Sequence, residues 1–376
     1  MASERDTVAA TRRLKPRAVQ AAASDASAGE GLVETLAFGD NPGGLRMFSY
    51  APSALKPHAA LVVVLHGCTQ TADAHARNAG WMALAERCGF VVLAPEQRPA
   101  NNLHRCFNWF KPDDAAREAA SVVAMIAHAV RTQRLDASRV FVCGLSAGGA
   151  IASVLLATYP QVFAAGGIVA GMPFGVADSV HSAWGAMTGR RASAADLAQL
   201  VRLASPQVAE WPRVSIWHGD ADTTVHAANA VDSIRQWVGA HDLAVESGEP
   251  ETHGRCVKTV WRSPKSGQIV VELNLVQGLG HGVPLSTLSA EPIGTVGPFM
   301  LEAGVSAPYE MARFWGLLDK AKPKSPAAAV PMLEGRSRQD QRRGPQPRGL
   351  SALVNQVPAE VGAIIVKALK RARLTR

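Results

Sequence analysis

Residues 140–150 constrain the fold of this chain more than any other stretch. They read VFVCGLSAGGA, an apolar run that leads into Gly-x-Ser-x-Gly and then into small residues. A serine at the tip of a sharp strand-to-helix turn needs glycines on either side, because a Cβ there would clash. The pattern predicts a nucleophile elbow at Ser146, followed by a helix whose N-terminal N–H groups face the serine oxygen. The alternative is a glycine-rich turn that happens to contain a serine.

Buried strands alternate with helices along the rest of the chain. Uninterrupted apolar runs are typical of strands covered on both faces, and they occur at 59–65, 90–94, 166–170, 214–217 and 269–275. Residues 45–50 alternate as in a half-exposed strand, and helical patterns cover about 74–88, 115–133 and 309–318. This order predicts an α/β fold with a doubly wound, mostly parallel sheet and helices on both faces. The long stretch 171–212 predicts a small cap over the strand ends.

The charge of the chain lies mostly near its C-terminus. The net charge is +8, but residues 319–376 hold 13 Lys or Arg against 4 Asp or Glu. Residues 31–318 are nearly neutral, so nucleic acid is not an expected partner. No apolar run approaches the length of a membrane span. Five cysteines are too few for a disulfide scaffold, and their odd number leaves at least one unpaired within a monomer.

The N-terminal segment contains a partial export signal. Residues 11–15 read TRRLK, which resembles a twin-arginine motif, but PRAVQ follows instead of an apolar segment. We therefore expect residues 1–31 to form a disordered leader that is not cleaved, and the protein to be cytoplasmic. Secretion is the alternative.

Two downstream segments carry candidate partners for Ser146. A serine needs a base to accept its proton and a carboxylate to orient that base, and α/β-hydrolases present these in the order Ser, Asp, His. Residues 217–225, WHGDADTTV, place two carboxylates directly after a strand. Asp222 is favoured over Asp220, because a helix begins near Val225 and leaves Asp222 at the loop apex. Either aspartate could instead cap a turn or a helix.

The candidate base is His281. It lies in the glycine-rich segment GLGHG, residues 278–282, after the last predicted strand. The carboxyl ends of the strands in open α/β sheets are where such sites assemble. Two other histidines compete for the role, but His66 lies in the turn below the expected oxyanion hole and His218 precedes the acid too closely to be its partner.

The oxyanion of an acyl-transfer intermediate needs two N–H donors. These usually come from the residue after the nucleophile and from the loop after an earlier strand, which here indicates the backbone of Ala147 and of Cys68. The Cys68 thiol is then free for another use. It could form a disulfide with Cys106, or both thiols could stay reduced in a reducing compartment.

Four motifs together resemble the poly(3-hydroxybutyrate) depolymerase family of esterases, whose relatives include feruloyl and acetylxylan esterases. They are HGCTQ at 66–70, CFNWF at 106–110, GLSAG at 144–148 and WHGDADTTV at 217–225. The resemblance spans about residues 32–318. It implies an α/β-hydrolase fold and ester hydrolysis through an acyl-serine. It also implies Ser146, Asp222 and His281 as the triad, with no metal or cofactor.

One segment departs from the family pattern. Family members often follow the histidine with a tryptophan-containing segment that borders the substrate, whereas this chain reads HGVP at 281–284. We therefore expect the acyl or alcohol subsite to differ from that of the family, and Trp109, Phe110 and Trp184 are candidate apolar walls. Buried aromatic residues more often belong to the core, which is the alternative for each of the three.

The C-terminal region predicts two further segments. Residues 319–349 form a basic, proline-rich linker, and residues 350–376 form a basic amphipathic helical tail that Pro358 divides. Such a tail can attach to a polyester granule, a membrane or a partner, or it can fold back on the domain. If deletion of residues 320–376 lowers soluble-ester turnover as much as surface binding, the tail is structural.

The function predicted from these features is a serine esterase that cleaves polyesters of the poly(3-hydroxybutyrate) type or their oligomers. A feruloyl or acetylxylan-type carbohydrate esterase is the alternative within the same enzyme class. A more distant alternative is a granule- or surface-binding protein that is not catalytic and acts through its C-terminal tail.

Overall fold

A ten-stranded, mostly parallel sheet forms the centre of the protein. The structure, a computed structural model, describes residues 31–190, 196–289 and 292–318. Ten strands build the main sheet: β1 Val33–Thr35, β2 Arg46–Tyr50, β3 Leu61–Leu65, β4 Val91–Glu96, β5 Val140–Leu145, β6 Ala165–Val169, β7 Arg213–Gly219, β8 Glu249–His253, β9 Cys256–Arg262 and β10 Ile269–Val276. A separate parallel pair consists of β11 Val283–Leu285 and β12 Met300–Glu302.

The strand order is β1-β2-β4-β3-β5-β6-β7-β10-β9-β8. The six central strands, from β4 to β10 in that order, run parallel, and the strands outside them are antiparallel to their neighbours. β3, β5 and β6 are buried along their whole length, as expected for strands covered on both faces.

Helices cover both faces of this sheet. They are α1 Ala72–Asn78, α2 Trp81–Cys88, α3 Pro112–Gln133, α4 Ala147–Thr158, α5 Val180–Met187, α6 Leu197–Ala204, α7 Ala228–Ala240 and α8 Ala307–Phe314. The core on one face contains residues of α3, α4, α6 and α7, and the core on the other contains residues of α1, α2 and α8. The predicted α/β fold with helices on both faces is confirmed.

Several predicted elements differ from the observed ones. The helix expected at 74–88 is two helices, because Gly80 adopts a left-handed conformation between them and leaves no room for a side chain beside Ile293. The helix expected near Val225 begins at Ala228. The pattern also missed the hairpin of β8 and β9, which lies at the sheet edge, where β8 alternates between exposed and half-buried residues.

The insertion between β6 and β7 is only partly a cap. Its first helix, α5, lies beside the segment that follows β7, since the His226 N–H donates to the Met187 carbonyl (2.7 Å) and the Asn229 side chain donates to the Ala186 carbonyl (2.9 Å). The second helix, α6, packs against α7, and its Val201 side chain is fully buried in the main core. Thus α6 belongs to the helical layer and not to a cap.

Three predicted segments lie outside the described residues: the leader except for Gly31, the linker at 319–349 and the tail at 350–376. Their predicted boundaries remain predictions. Among the residues that the structure describes, no helix combines the length and apolarity needed to cross a bilayer.

Candidate active site

Ser146 lies at the turn between β5 and α4, in a backbone conformation that is rare for a side-chain-bearing residue. Its φ is 57° and its ψ is −117°. The Ser146 N–H donates to the Val169 carbonyl at the end of β6 (2.9 Å), which fixes the turn against the neighbouring strand. A Cβ on Gly144 would overlap the Gly148 carbonyl group, and one on Gly148 would overlap the Leu65 carbonyl oxygen. The two glycines of the motif are therefore required by close backbone approach.

Asp222 and His281 are joined by a short hydrogen bond. His281 Nδ1 lies 2.7 Å from Asp222 Oδ2, while Asp222 Oδ1 accepts from the N–H groups of Thr224 (2.8 Å) and Val225 (2.9 Å). Burial raises the pKa of Asp222, but the hydrogen bond from His281 and the electrostatic interactions with the neighbouring histidines outweigh burial and leave the pKa below its ordinary value. Asp222 is thus an anion that holds the imidazole with its proton on Nδ1 and Nε2 free to accept.

The other candidate acid has a different role. Asp220 Oδ1 accepts from the Gly278 N–H (2.6 Å) and so fixes the start of the loop that carries His281. Burial raises its pKa. Asp220 therefore supports the histidine loop through the backbone and makes no hydrogen bond to the imidazole.

Both rival histidines are buried and hydrogen-bonded to backbone groups. His66 has Nδ1 2.8 Å from the Gly67 carbonyl and accepts at Nε2 from the Gln97 N–H (3.1 Å), an arrangement that requires a neutral ring. His218 donates through Nε2 to the Val225 carbonyl (2.8 Å), and the same nitrogen lies 3.5 Å from Asp222 Oδ2. Burial lowers the pKa of both rings. Both ring nitrogens of His66 are thus engaged, and the His218 ring directs its Nε2 proton to a backbone carbonyl.

Ser146, Asp222 and His281 follow β5, β7 and β10, whose carboxyl ends lie at one edge of the parallel sheet. Within the described residues, no hydrogen bond joins the Ser146 hydroxyl to His281. Such bonds are often long without substrate and shorten in the reacting complex.

Two backbone N–H groups are available as oxyanion donors. Ala147 is the first residue of α4, so its N–H has no partner within the helix. The Cys68 N–H donates to no other described residue. The structure also contains a disulfide between Cys68 and Cys106, with Cα atoms 4.3 Å apart. Beside it, the Thr69 N–H donates to the His104 carbonyl (2.6 Å), so the loops at 66–70 and 101–110 are joined twice.

A small apolar cluster lies next to Ser146 and Asp222. Its buried members are Ala150, one turn into α4, Val225, three residues after Asp222, and Met172. Trp109, Val176 and Met187 pack against it and are partly exposed. Partial exposure over buried apolar groups makes these three side chains suitable to line a pocket for an acyl chain.

The other two predicted wall residues are placed differently. Phe110 contacts Trp109 edge to face in the same loop, with ring centroids 5.5 Å apart. Trp184 on α5 is 69% exposed and is outside the apolar cluster around Ala150. The structure therefore brings Trp109 into the site, with Phe110 as its neighbour, and leaves Trp184 on the surface.

Sequence reasoning missed the aromatic residue beside the histidine. Val283, at the position where the family pattern differs, is buried in β11. Phe299 instead packs edge to face on His281, with ring centroids 6.1 Å apart, and its ring is partly exposed. The Val283 N–H donates to the Phe299 carbonyl (2.8 Å), which holds this distant residue in place. Val176, Met172 and Met187 were also missed, since they carry no motif.

Comparison with known proteins identifies the family. The family described as "Esterase PHB depolymerase" matches residues 46–249, more than half of the chain. The chain belongs to this family of esterases. It is therefore a carboxylic ester hydrolase with the α/β-hydrolase fold, as the four sequence motifs indicated.

Individual relatives agree with this assignment. Poly(3-hydroxyalkanoate) depolymerase C of Paucimonas lemoignei is 38% identical over 293 residues, which cover 76% of this chain and 70% of that protein. Acetylxylan esterase A of Aspergillus oryzae is 28% identical over 265 residues, 66% of this chain and 83% of the relative. The solved structure of an acetyl xylan esterase from Aspergillus awamori has a TM-score of 0.64 at 22% identity, and the match covers 77% of this chain and all of that one. At that identity, the structural match supports the fold.

Proposed function

We propose that this esterase hydrolyses polyesters of the poly(3-hydroxyalkanoate) type, or their oligomers, through an acyl intermediate on Ser146. The observation that carries the proposal is the hydrogen bond from His281 Nδ1 to Asp222, which leaves Nε2 free to accept a proton. A base in this tautomer is what an unactivated serine hydroxyl requires.

The reaction proceeds in two halves. His281 Nε2 accepts the Ser146 proton as Oγ attacks the ester carbonyl carbon, and the N–H groups of Ala147 and Cys68 stabilise the oxyanion. The imidazolium then donates its proton to the leaving alcohol, and Ser146 remains acylated. In the second half, His281 deprotonates a water molecule that attacks the acyl group, the acid departs and Ser146 regains its proton. Asp222 stabilises the imidazolium in both halves.

The choice of polyester rests on the relative and on the apolar cluster. The depolymerase from Paucimonas lemoignei is the more similar of the two curated relatives described above, at 38% identity against 28% for the acetylxylan esterase. The partly exposed apolar side chains of Trp109 and Met187 suit contact with a short aliphatic hydroxyacyl unit. Esters of acetate or ferulate on a carbohydrate are the alternative substrates, and they are supported by the acetylxylan esterase relatives.

Two measurements on the full-length protein test the proposal. Ser146→Ala should abolish hydrolysis of p-nitrophenyl butyrate while the thermal unfolding transition is retained, since the side chain is only partly buried. Turnover that persists in this variant would show that another residue is the nucleophile. With the wild-type enzyme, release of 3-hydroxybutyrate from polymer should exceed release of acetate or ferulate from carbohydrate esters. The reverse order would assign the enzyme to carbohydrate esters.

The disulfide bears on the compartment. A bond between Cys68 and Cys106 persists where the environment is oxidising, and it joins the loop of a proposed oxyanion donor to the loop of Trp109. We therefore propose that the enzyme works outside a reducing cytosol, which is the alternative to the cytoplasmic location expected from the sequence. Alkylation of free thiols in cell fractions, followed by mass spectrometry, tests this. Free thiols at Cys68 and Cys106 in the active protein would contradict it.

A further inference from the structure

Glu118 is a buried carboxylate near the active site that the proposed mechanism does not use. It lies on α3, is 2% exposed and has no ion-pair partner among the described residues. Burial raises its pKa to about 7, and hydrogen bonds from Asn108 and Gln97 oppose the increase. Keeping an unpaired carboxylate in a core is costly, so its surroundings must account for its presence.

Three N–H groups converge on this carboxylate. Oε1 accepts from Gln97 Nε2 (2.6 Å) and from Asn108 Nδ2 (2.7 Å), and Oε2 accepts from the Asn108 backbone N–H (2.9 Å). All three are donors, which suits the ionised carboxylate with its two acceptor oxygens. A glutamine at this position would have one acceptor oxygen, and its NH₂ group would oppose at least one of the donors.

The three bonds fix the loop that forms the wall of the site. Asn108 is bound to Glu118 through both its backbone and its side chain, and the next residue is Trp109, which packs on the apolar cluster beside Ser146. The Asn108 side chain also accepts from Asn102 Nδ2 (3.1 Å), which organises the preceding part of the loop. The position of the Trp109 ring thus depends on the Glu118 carboxylate.

The loop at 66–70 has supports that do not involve Glu118. The Gly67 N–H donates to Gln70 Oε1 (2.8 Å), and the same oxygen lies 3.1 Å from Nδ1 of the buried His75 on α1. Its disulfide and its bond from the Thr69 N–H reach the loop at 101–110 only at Cys106 and His104, before Asn108. Loss of the Glu118 carboxylate should therefore displace the Trp109 wall more than the oxyanion donor at Cys68.

We propose that Glu118 is a positioning residue that sets the preference of the enzyme for acyl chain length by anchoring Asn108 and thereby Trp109. This inference rests on the proposed assignment of the site to Ser146 and of its wall to Trp109. An acetyl group is too short to depend on that wall, whereas a hexanoyl chain must pack against it.

Kinetics of Glu118→Gln with two esters test this role. At about pH 8, where the wild-type carboxylate is ionised, KM for p-nitrophenyl hexanoate should rise about tenfold, while KM for p-nitrophenyl acetate and kcat for both esters change less than about twofold. Glu310→Gln is the matched control, since Glu310 lies on α8, on the other face of the sheet, and pairs with Arg313. It should leave both KM values unchanged. An equal change for the two esters, or no change, would refute the positioning role.

Hydrogen exchange provides a readout that is independent of catalysis. Amides of residues 97–111 should exchange faster in Glu118→Gln than in wild type, with no change in α4. Unchanged exchange in residues 97–111 would also refute the proposal that Glu118 holds this loop in place. If Glu118→Gln does not fold, Asn108→Ala removes one donor, keeps the carboxylate and should show the same chain-length pattern with a smaller rise. If neither folds, the wild-type Asn108 amide must exchange more slowly than the exposed Leu103 amide, and equal exchange would overturn the proposal.

These results separate two kinds of failure. If Ser146→Ala retained turnover, the assigned site would be wrong, but the exchange data would still report on the anchor. If Ser146→Ala were inactive and Glu118→Gln altered neither exchange nor KM, the assignment of Ser146 would be supported and the positioning role of Glu118 would be refuted.

Discussion

Replacing Asp222 with asparagine tests the geometry of the site most directly. Asp222 Oδ1 accepts from the N–H groups of Thr224 and Val225, so the amide oxygen of asparagine must take that position. The NH₂ group then occupies the place of Oδ2, 2.7 Å from His281 Nδ1. Because NH₂ can only donate there, the imidazole must accept at Nδ1 and carry its proton on Nε2. In that tautomer, His281 cannot accept the Ser146 proton.

The expected loss follows from the tautomer. In the serine protease that serves as the template for this chemistry, the same substitution lowers kcat by about 10⁴, which corresponds to about 5.5 kcal/mol of barrier. The fold should persist, since two of the three hydrogen bonds to the side chain remain. The assay is kcat for p-nitrophenyl butyrate, with circular dichroism as the check on folding.

Asp220→Asn is the matched control. Its Oδ1 accepts from the Gly278 N–H, a bond that the amide oxygen of asparagine can keep, so kcat should fall by less than about tenfold. A folded Asp222→Asn enzyme that retains more than about a tenth of wild-type kcat would refute the tautomer argument. A larger loss in Asp220→Asn than in Asp222→Asn would reverse the assignment of the acid.

Two further predictions concern stability. Replacing both Cys68 and Cys106 with serine removes a crosslink that spans 38 positions, and the chain-entropy model predicts a loss of about 4 kcal/mol in the free energy of unfolding. Urea denaturation measures this loss, and an unchanged midpoint would show that the bond is absent or without effect. Burial raises the folded-state pKa of Glu118 from 4.5 to about 7, so the folded protein binds more protons than the unfolded chain in that window. As pH rises from about 4.5 to about 7, the free energy of unfolding of wild type should therefore fall by about 3 kcal/mol relative to that of Glu118→Gln. Parallel curves of unfolding free energy against pH for the two proteins would contradict this.

The parts of the site that sequence could reveal are those imposed by local sterics and by chain order. The elbow is visible because Gly144 and Gly148 must lack a side chain, and Asp222 and His281 follow strands in an order that the fold dictates. The sequence could not place Phe299, which reaches His281 only through the pairing of β11 with β12. It also gave no sign of Glu118, because a glutamate on an amphipathic helix looks like a solvated residue until its partners are known.

The same distinction applies to the fold. The central strands are buried on both faces, so their apolar runs predicted them well. The hairpin of β8 and β9 was missed because an edge strand such as β8 (EPETH) is largely exposed and has no apolar pattern. The break at Gly80 depends on the approach of Ile293, more than two hundred residues away, and a contact of that range leaves no local periodicity.

The backbone at Ser146 sets a limit on how robust this enzyme can become. A φ of 57° with a ψ of −117° suits glycine, and holding a serine there costs about 1–3 kcal/mol that the rest of the fold must offset. A glycine at this position would relax the turn, and we expect the resulting protein to be more stable but to lack esterase activity. Evolution toward heat tolerance in this lineage must therefore accumulate its gains elsewhere, in surface charge, loops and core packing, while the proposed nucleophile stays in a conformation that opposes folding.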